Sequence, residues 1–493
     1  MLKTGQQHLD SLRDGRVIYV GDQRIDDVTV HPFFRHCAQS IADIYDMKAA
    51  EQNRAVMSFE EDGGTFSSYF LRAKNQADLD KRCETHMRIA RQTYGMFGRS
   101  PDHVSSFVTG MAMGAHVFGA YADNIRAYYE HMRRNDIFAT YAILPPQSSR
   151  NPEFYKHSGG QSPALRVVRE DDKGVYVSGM KMLATGALFA NEIWIGNIFP
   201  LTPEQIAESI TCAIPCNAPG LSLWARKPME PNAVNEFEGP LTYRYDETDA
   251  MLLCDEVFVP WERVFVHRDA QLARGIYVQT AAHAYGNHQS NIRFLAKLQL
   301  IVGLASRVTQ ATGADQVPAV REVIGRLASL EALLSGLIAG QIHGAEEFPA
   351  AGWKCPNRRS VYAALNWCTE SYSEIVDKLR ELCGGGVFQM PADISVVRDP
   401  ELRKQFERNW DTPQLPAVKR MKLFKLAWDV VGSEFAGRHQ QYEKFYAGAS
   451  FIVRNYSHMH APWDALHGVV DGLMDSYADV PGEEMHAAHL GAA

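Results

Sequence analysis

The sequence predicts an α+β protein in which a β-rich segment lies between two helical segments. Apolar residues recur at helical spacing through about the first 140 residues and again beyond about residue 275. Short β-type runs separated by turn residues fill the stretch between them. A chain of 493 residues also exceeds one small core. We therefore expect three packed regions, at residues 1–139, 140–272 and 273–493.

The N-terminal region is expected to be mainly helical. The stretch from Gln76 to Tyr94 is charged on one face, and the stretch from Val104 to Met132 is rich in Ala, Gly, Phe and Met. Small residues allow a helix to approach a flat ligand or another helix closely. We expect the second stretch to pack in this way.

The middle region is expected to form a compact set of strands. Its β-type runs are bounded by Gly, Pro, Asn and Asp, which are typical of turns. The runs are Leu165–Glu170, Gly174–Gly179, Glu192–Asn197, Thr211–Pro215 and Cys254–Pro260.

The C-terminal region is expected to be a helical bundle. Apolar residues between Val320 and Ile338 fall at three- and four-residue spacing, which gives one stripe over several turns. Two further helices are predicted from Tyr362 to Leu382 and from Met421 to Tyr446.

Composition and charge are those of an ordinary soluble protein, with 46% hydrophobic and 22% charged residues. The net charge of -8 argues against a nucleic-acid partner, because phosphate neutralisation needs a basic face. The N-terminus has no signal-peptide core, and no uninterrupted apolar run approaches the length that crosses a bilayer. We expect a cytoplasmic protein without a membrane partner.

The eight cysteines are dispersed along the chain, unlike a disulfide framework. Cys212 and Cys216 have no second cysteine pair nearby to complete a zinc site. His458 and His460 lack a third ligand at a recognisable spacing. We therefore expect buried free thiols and no bound metal.

A candidate reactive site begins at Gly98-Arg99-Ser100-Pro101, followed along the chain by Tyr141. Proline suits the first helical turn, and a spacing of four residues puts Arg99 and His103 near one face. A fixed cation beside a group that titrates near neutral pH suits the handling of phenols or oxyanions. The alternative interpretation is a solvated helix start.

Other motifs each leave two interpretations open. Arg150 and Arg438 suit bidentate contact with a pyrophosphate or pairing with a carboxylate. The run Gly384–Gly386 either admits a ligand to the backbone or ends a helix. His288, before an apolar helix, is either structural or a second candidate base. No Gly-x-Gly-x-x-Gly in a βαβ unit and no phosphate loop occur, which argues against a nicotinamide-type dinucleotide site.

Read in order, these motifs make the chain resemble the 4-hydroxyphenylacetate 3-hydroxylase family, the reduced-flavin-dependent oxygenase components of two-component aromatic monooxygenases. The similarity covers nearly the whole chain. Its residues are Ser11–Val17, Gly21, Val28-Thr29, His31-Pro32, Gly98–Asp102, Pro146-Gln147 with Arg150, Gly179 with Thr185-Gly186, Val257–Glu262, and Arg438-His439 with Tyr442-Glu443.

The resemblance implies an acyl-CoA-dehydrogenase-like fold with N-terminal helices, a middle β-barrel and a C-terminal bundle that builds a homotetramer. It also implies reduced FAD, O2 as co-substrate, and a separate NAD(P)H-dependent flavin reductase. The residues expected to bind the cofactor are Gln147, Arg150, Thr185, Arg226 and Gly385, with Arg438 facing a neighbouring subunit's cofactor.

The chain departs from this family at two positions near the expected substrate. The 4-hydroxyphenylacetate hydroxylases have Tyr where this chain has His103, and His where it has Tyr141. The exchange preserves one imidazole and one phenol, but it predicts a phenolic substrate other than 4-hydroxyphenylacetate.

The implied chemistry is hydroxylation through a C4a-hydroperoxyflavin, which must be kept from water. A phenolate is the more reactive ring, and a free phenol has a pKa near 10. We expect Arg99 to stabilise the phenolate, His103 or His288 to accept the proton, and Tyr141 to orient the hydroxyl or donate to the peroxide.

Two alternatives remain at this stage. One is an oxygenase of a biosynthetic pathway that acts on a heteroaromatic or carrier-tethered aryl substrate. The other, more remote, is a hydroxyacyl-CoA dehydratase of the same fold, which needs an iron–sulfur cluster on cysteine thiolates and a histidine. No cysteine lies between Cys83 and Cys212 to supply one.

Overall fold

The computed structural model describes residues 2–151, 153 and 162–477. The helices with more than one turn begin and end as follows: α1 Gly5–Ser11, α2 Arg35–Ala49, α3 Glu51–Met57, α4 Gln76–Gln92, α5 Pro101–Met113, α6 Ala122–Asn135, α7 Pro240–Tyr245, α8 Ala270–Gln279, α9 Ala282–Thr312, α10 Pro318–His343, α11 Arg358–Cys383, α12 Ser395–Arg398, α13 Pro400–Trp410, α14 Ala417–Val431, α15 Glu434–Phe445, α16 Ser450–Met459 and α17 Trp463–Met474.

The strands lie mostly between α6 and α8. They are β1 Ile18–Val20, β2 Gln23–Ile25, β3 Ser58–Glu61, β4 Gly64–Ser67, β5 Ala139–Ala142, β6 Arg166–Glu170, β7 Gly174–Thr185, β8 Glu192–Ile195, β9 Ile210–Pro215, β10 Leu221–Ala225, β11 Asp249–Pro260, β12 Val264–His267, β13 Glu346–Glu347 and β14 Lys354–Cys355.

The helix–strand–helix order is confirmed, and the five predicted β runs correspond to β6, β7, β8, β9 and β11. These strands form two main sheets, of order β2-β1-β10-β11-β7-β6 and β12-β9-β8-β5. A closed middle barrel is not confirmed, because strand pairing leaves the two sheets separate in the described part of the chain.

The N-terminal region is less purely helical than predicted. Strand β1 pairs in parallel with β10, with Ile18 opposite Leu223, and in antiparallel with β2. A second hairpin, β3–β4, packs with the first helices. Each of these strands has only three or four residues, which is too short to show a clear period-two pattern in the sequence.

Two predicted helices are broken in the structure. The stretch from Val104 to Met132 divides into α5 and α6 at Gly114, and the stretch from Met421 to Tyr446 divides into α14 and α15 at Gly432-Ser433. Ser433 accepts a hydrogen bond from the backbone of Ala436 and so begins a new helix.

Helix α9 is the central element of the C-terminal bundle. It packs against α5 and α4 from the N-terminal region and against α10 and α11 from the bundle. Its first half is buried on nearly every face. Side chains from the N-terminal and C-terminal regions therefore meet around α9, and the candidate site lies there.

The sequence was expected to contain no apolar run long enough to cross a bilayer, and helix α10 differs from that expectation. By length and composition it is the one helix in the described part of the chain that could cross a membrane, with a mean hydropathy of 1.5 and 17% of that window buried. Leu327, Leu334 and Ile338 of the predicted stripe are buried in the bundle. This packing is that of a bundle helix with one face left open.

Candidate active site

The chain turns into α5 at the predicted position, with Ser100 as N-cap and Pro101 in the first turn. Arg99 thus precedes the helix, and the expected four-residue spacing on one helix face does not apply. The two side chains nevertheless converge on the Tyr141 ring, whose centroid lies 4.7 Å from the Arg99 guanidinium carbon and 5.4 Å from the His103 ring centroid. Both residues are buried, which excludes a solvated helix start.

Glu247 holds the backbone in this position. Its carboxylate accepts the backbone N–H of Gly98 at 2.6 Å and of Arg99 at 3.0 Å. A Cβ on Gly98 would lie 1.9 Å from the Tyr442 hydroxyl. The glycine is therefore required for the close approach of Tyr442.

Arg99 lies close to two aromatic rings. Its guanidinium carbon is 5.4 Å from the Tyr442 centroid as well as 4.7 Å from that of Tyr141, and one Nη donates to the Tyr446 carbonyl at 3.0 Å. The hydroxyls of Tyr442 and Tyr446 are buried without a hydrogen-bond partner among the described residues. Buried polar groups normally have partners, so these hydroxyls suit a polar ligand.

His103 faces the same space with one ring nitrogen. Its Nδ1 lies 2.9 Å from Gln289 Oε1, and its Nε2 is buried with no partner in the described part. Burial, and next the charge of Arg99, hold the pKa of His103 well below its usual 6.5. The imidazole is therefore neutral at neutral pH.

Aromatic rings extend the wall of this space. Phe107 lies 5.2 Å from His103 and 5.9 Å from Tyr141, and Tyr277 and His283 lie 6.4 and 6.3 Å from Phe107 (ring centroids). Such a wall suits a flat ring.

His288 lies elsewhere and inside α9 rather than before it. Its Nδ1 meets Gln341 Oε1 at 2.7 Å, and its ring faces His86 at 6.3 Å. Burial lowers the pKa of His288 to about 3. The next residue, Gln289, faces His103 instead.

Three residues expected to bind the cofactor meet around one carboxylate, Asp249. Thr185 Oγ1 donates to it at 2.6 Å, Arg438 Nη2 at 2.8 Å and Arg226 Nε at 3.0 Å. Burial opposes ionisation of Asp249, but Arg438 and Arg226 hold its pKa below the usual 3.8.

Glu247 links this cluster around Asp249 to the backbone of Gly98 and Arg99. Arg438 also donates to Glu247 Oε1 at 3.1 Å, and that carboxylate holds Gly98 and Arg99. Arg438 therefore pairs with carboxylates, which is one of the two interpretations that the sequence left open. Sequence reasoning missed Glu247 and Asp249, although the run Asp246-Glu247-Thr248-Asp249 beside a strand was a usable signal.

The remaining cofactor candidates belong to two short turns. Gln147 is exposed on the turn Gln147–Arg150, and the side chain of Arg150 lies outside the described part. Gly385 lies in the 3-10 turn Gly384–Val387 after α11, so the glycine run does end a helix.

The buried tyrosine hydroxyls without hydrogen-bond partners, the aromatic wall and the fixed cation together fit a flat polar cofactor with an aromatic substrate beside it.

No group of three His, Cys, Asp or Glu residues that could hold a metal occurs in residues 2–151, 153 and 162–477. All eight cysteines are free thiols, and all but Cys83 are buried. His458 and His460 face different rings, Trp463 and Tyr362.

An open cleft of about 820 Å³ has a different set of lining residues. It is lined by residues of α7, α9 and α14 together with Tyr94, and its lining does not include Arg99, His103 or Tyr141. These three candidate site residues therefore do not line this cleft.

Two family models match almost the whole chain. The model described as 4-hydroxyphenylacetate 3-hydroxylase N terminal matches residues 4–266, and the one described as 4-hydroxyphenylacetate 3-hydroxylase C terminal matches residues 273–475.

Individual relatives and structures agree with these matches. The pyoverdin chromophore biosynthetic protein PvcC of Pseudomonas aeruginosa is 33% identical over 92% of this chain and 90% of that protein. The oxygenase component of 4-nitrophenol 2-monooxygenase from a Rhodococcus species is 31% identical over 97% and 93%. The crystal structure of the HpaB oxygenase component of 4-hydroxyphenylacetate 3-monooxygenase, complexed with FAD and 4-hydroxyphenylacetate, superposes with a TM-score of 0.90 at 28% identity, over 96% of this chain and 98% of that one.

Proposed function

This chain belongs to the 4-hydroxyphenylacetate 3-hydroxylase family, and on that premise we propose that it is the oxygenase component of a two-component, flavin-dependent monooxygenase. It uses reduced FAD and O2 to hydroxylate a phenolic ring. The observation that supports this most directly is the convergence of Arg99 and His103 on Tyr141 within an aromatic wall.

The chain's own residues prepare the phenol. When bound, reduced FAD supplies the activated oxygen. Arg99, buried and fixed by the Tyr446 carbonyl, stabilises the negative charge of a phenolate in a low-dielectric site. His103 accepts the phenolic proton at Nε2, and Tyr141 orients the hydroxyl. The surrounding rings exclude water from the reacting atoms.

Of the two candidate bases we propose His103. Both imidazoles are buried and neutral, but only His103 lies beside Tyr141 and Arg99. His288 is directed at Gln341 and His86, in the interior between α4, α9 and α10.

We propose that the cofactor is held next to the Asp249 cluster, by Thr185 and Arg226, with Gln147, Arg150 and Gly385 reaching it from the loops. Arg438 is proposed to face a neighbouring subunit's cofactor while it fixes Asp249 and Glu247. The reduced flavin comes from a separate NAD(P)H:flavin reductase.

The substrate is proposed to be a phenol other than 4-hydroxyphenylacetate. The resemblance implies that His103 and Tyr141 exchange the imidazole and phenol positions of the 4-hydroxyphenylacetate hydroxylases. A relative named for 4-nitrophenol is 31% identical to this chain. The second candidate, a biosynthetic oxygenase acting on a heteroaromatic or carrier-tethered aryl group, is favoured by the relative named for pyoverdin chromophore biosynthesis.

We also propose a homotetramer in the cytoplasm, with the three regions bounded at 139/140 and 272/273 and with strands of the middle region closing toward a barrel. The exposed apolar residues Leu333 of α10 and Val469 and Leu473 of α17 support burial against further copies. Light scattering at several concentrations tests the tetramer, and a monomer at all of them contradicts it.

The test of function combines the purified protein with reduced FAD, O2 and a panel of phenols that includes 4-hydroxyphenylacetate and 4-nitrophenol. We expect hydroxylated product, with at least one other phenol giving a higher kcat/KM than 4-hydroxyphenylacetate. Absence of hydroxylated product from every phenol and carrier-tethered aryl compound contradicts the activity. Turnover of 4-hydroxyphenylacetate at least as efficient as of all others contradicts the substrate proposal. An iron assay tests the dehydratase alternative.

A further inference from the structure

Four buried polar side chains without a role so far lie behind His103. They are Gln289 of α9, Ser100 and Asp102 at the start of α5, and His86 of α4. Each is buried, and hydrogen bonds connect all of them to His103.

The amide of Gln289 has one orientation that satisfies its neighbours. Its Nε2 donates to Ser100 Oγ at 3.2 Å and to Asp102 Oδ1 at 3.3 Å, while its Oε1 lies 2.9 Å from His103 Nδ1. A reversed amide would put its oxygen against a carboxylate, which accepts hydrogen bonds but cannot donate one when ionised.

Asp102 is held as the acceptor of this arrangement. Ser100 Oγ donates to its Oδ1 at 2.5 Å, and His86 Nδ1 lies 2.7 Å from its Oδ2. It also lies in the first turn of α5, where the helix dipole favours a carboxylate. The amide donors of Gln289 are therefore directed at Asp102 and Ser100, and its oxygen at His103.

An oxygen at Gln289 Oε1 requires a proton on His103 Nδ1. In a neutral imidazole the other nitrogen is then a bare acceptor, and Nε2 is the atom without a partner near Tyr141. We propose that Gln289 is a positioning residue that holds His103 as its Nδ1–H tautomer, so that Nε2 accepts the proton of the substrate hydroxyl. This inference rests on the proposed function.

The proton transfer itself is balanced without a co-reactant. The substrate O–H bond breaks, its electron pair stays on the phenolate oxygen, and an N–H bond forms at His103 Nε2. The resulting imidazolium donates its Nδ1–H to Gln289 Oε1, and the Gln289 amide in turn donates to Asp102. The phenolate lies in the field of Arg99.

The groups around His103 keep it neutral before the substrate binds. Burial, and then the charge of Arg99, lower the pKa of His103. The hydrogen bond to Gln289 acts in the opposite direction, and Arg293 of α9 and His86 of α4 lower the pKa further. Tyr141 of β5 also faces the ring. Because the ring does not change charge near neutral pH, its tautomer decides whether it can act as a base.

The test uses two substitutions and a matched control. Gln289→Met keeps the volume but removes the amide. Gln289→Glu keeps an oxygen facing Nδ1, and its carboxyl is expected to be protonated so that its O–H donates to Asp102 in place of the amide N–H. Gln341→Met is the control, because Gln341 is also buried and meets a histidine Nδ1, that of His288, at 2.7 Å.

The first readout does not depend on turnover. The 15N spectrum of histidine-labelled protein reports which ring nitrogen carries the proton, and a His103→Asn sample assigns the signal. We expect Nδ1–H in the unsubstituted protein and in Gln289→Glu and Gln341→Met, and loss of that preference in Gln289→Met. An Nε2–H form in the unsubstituted protein, or an unchanged spectrum in Gln289→Met, overturns the inference.

The second readout is the ratio of hydroxylated product to hydrogen peroxide. We expect Gln289→Met to lower it about tenfold to a hundredfold, with Gln341→Met unchanged. Gln289→Glu should retain the ratio, because a protonated carboxyl keeps an acceptor at His103 Nδ1 and a donor at Asp102. An unchanged ratio in Gln289→Met, or an equal loss in Gln341→Met, overturns the role.

The two proposals fail separately. If the unsubstituted protein hydroxylates nothing, the proposed function fails and the histidine spectrum still decides the tautomer. If product forms and the spectrum of the unsubstituted protein shows the wrong tautomer, the positioning role fails alone.

Discussion

At the residue scale, the proposed role of Arg99 depends on a buried side chain that lies close to two aromatic rings and donates to a neutral carbonyl. The guanidinium lies close to the Tyr141 and Tyr442 rings, and Glu247 accepts a hydrogen bond from the Arg99 backbone N–H. Its charge therefore remains available to a ligand. In such a site a fixed donor is worth far more than in water.

Replacing Arg99 by Ala is expected to lower the rate of product formation about 10²–10³-fold, as loss of one preorganised donor to a developing oxyanion does elsewhere. Peroxide release should rise relative to product. Stopped-flow mixing of reduced enzyme with oxygenated substrate, followed by product analysis, measures both.

Arg99→Lys is the matched control for this change. It keeps the charge but not the planar group that lies against two rings, so an intermediate loss is expected. Equal coupling of product to oxygen in Arg99→Ala and the unsubstituted enzyme would remove Arg99 from the reaction.

The pH dependence of hydroxylation follows from His103. Burial and then Arg99 hold its pKa well below 6.5, so the basic form persists as the pH falls through 6.5. We expect product formation in a single turnover to stay constant from about pH 8 to below pH 6.5. A half-maximal rate at or above pH 6.5 would show that another group, or a protonated His103, controls the step.

The sequence predicted Arg99, His103 and Tyr141 but not the residues that hold them. Glu247, Gln289 and Tyr442 come from distant parts of the chain and resemble ordinary polar residues there. Their role depends on tertiary contacts, which no local spacing encodes. The sequence offered His288 as a second candidate base, but the residue that faces His103 is the next one, Gln289. One residue along a helix is a rotation of about 100°.

At the scale of elements, the contact between α5 and α9 determines the distance between His103 and the C-terminal bundle. A Cβ on Gly110 would lie 2.5 Å from the backbone of Ala281 and Ala282, and one on Gly286 would lie 1.9 Å from the Phe107 ring. These two glycines thus allow α5 and α9 to approach each other closely.

Gly110→Ala is expected to destabilise the protein by about 1–3 kcal/mol, because backbone cannot move aside as a flexible side chain can. The displacement of α5 should also lower the ratio of product to peroxide. Gly303→Ala, also within a helix but facing open space, should instead leave coupling unchanged and raise stability by up to about 1 kcal/mol. Thermal melting of both variants compares them, and equal shifts would contradict this account.

Helices and strands were predictable to different extents. The start of α5 at Pro101 and the stripe of α10 follow from local signals, and both are confirmed. The breaks at Gly114 and Gly432 were missed because a glycine within an apolar helical pattern is tolerated as often as it ends a helix. Strands β1 and β2 are too short to give a periodic signal.

At the scale of the whole molecule, many histidines are buried as neutral rings. Burial lowers the pKa of each member of this set below 6.5: His8, His86, His103, His288 and His439. In the unfolded chain each takes up a proton near pH 6.5, so the unfolded state binds more protons as the pH falls below that value.

Stability is therefore expected to be fully present above pH 6.5 and to fall below it, by about 1.4 kcal/mol per pH unit for each such histidine until its folded pKa is reached. Melting temperatures between about pH 8 and pH 5 at constant ionic strength measure the effect. A Tm that is flat through this interval would show that these rings are protonated in the folded state.

The parallel pairing of Ile18–Val20 with Leu221–Ala225 sets an order of events during synthesis. The first partner leaves the ribosome about 200 residues before the second, so this part of the sheet cannot close while the N-terminal helices form. A fragment beginning at residue 140 would present the unpaired backbone of Leu221–Ala225, an edge open to association with other chains. A chain cut at the proposed 139/140 boundary is therefore expected to associate with other chains through this open strand edge.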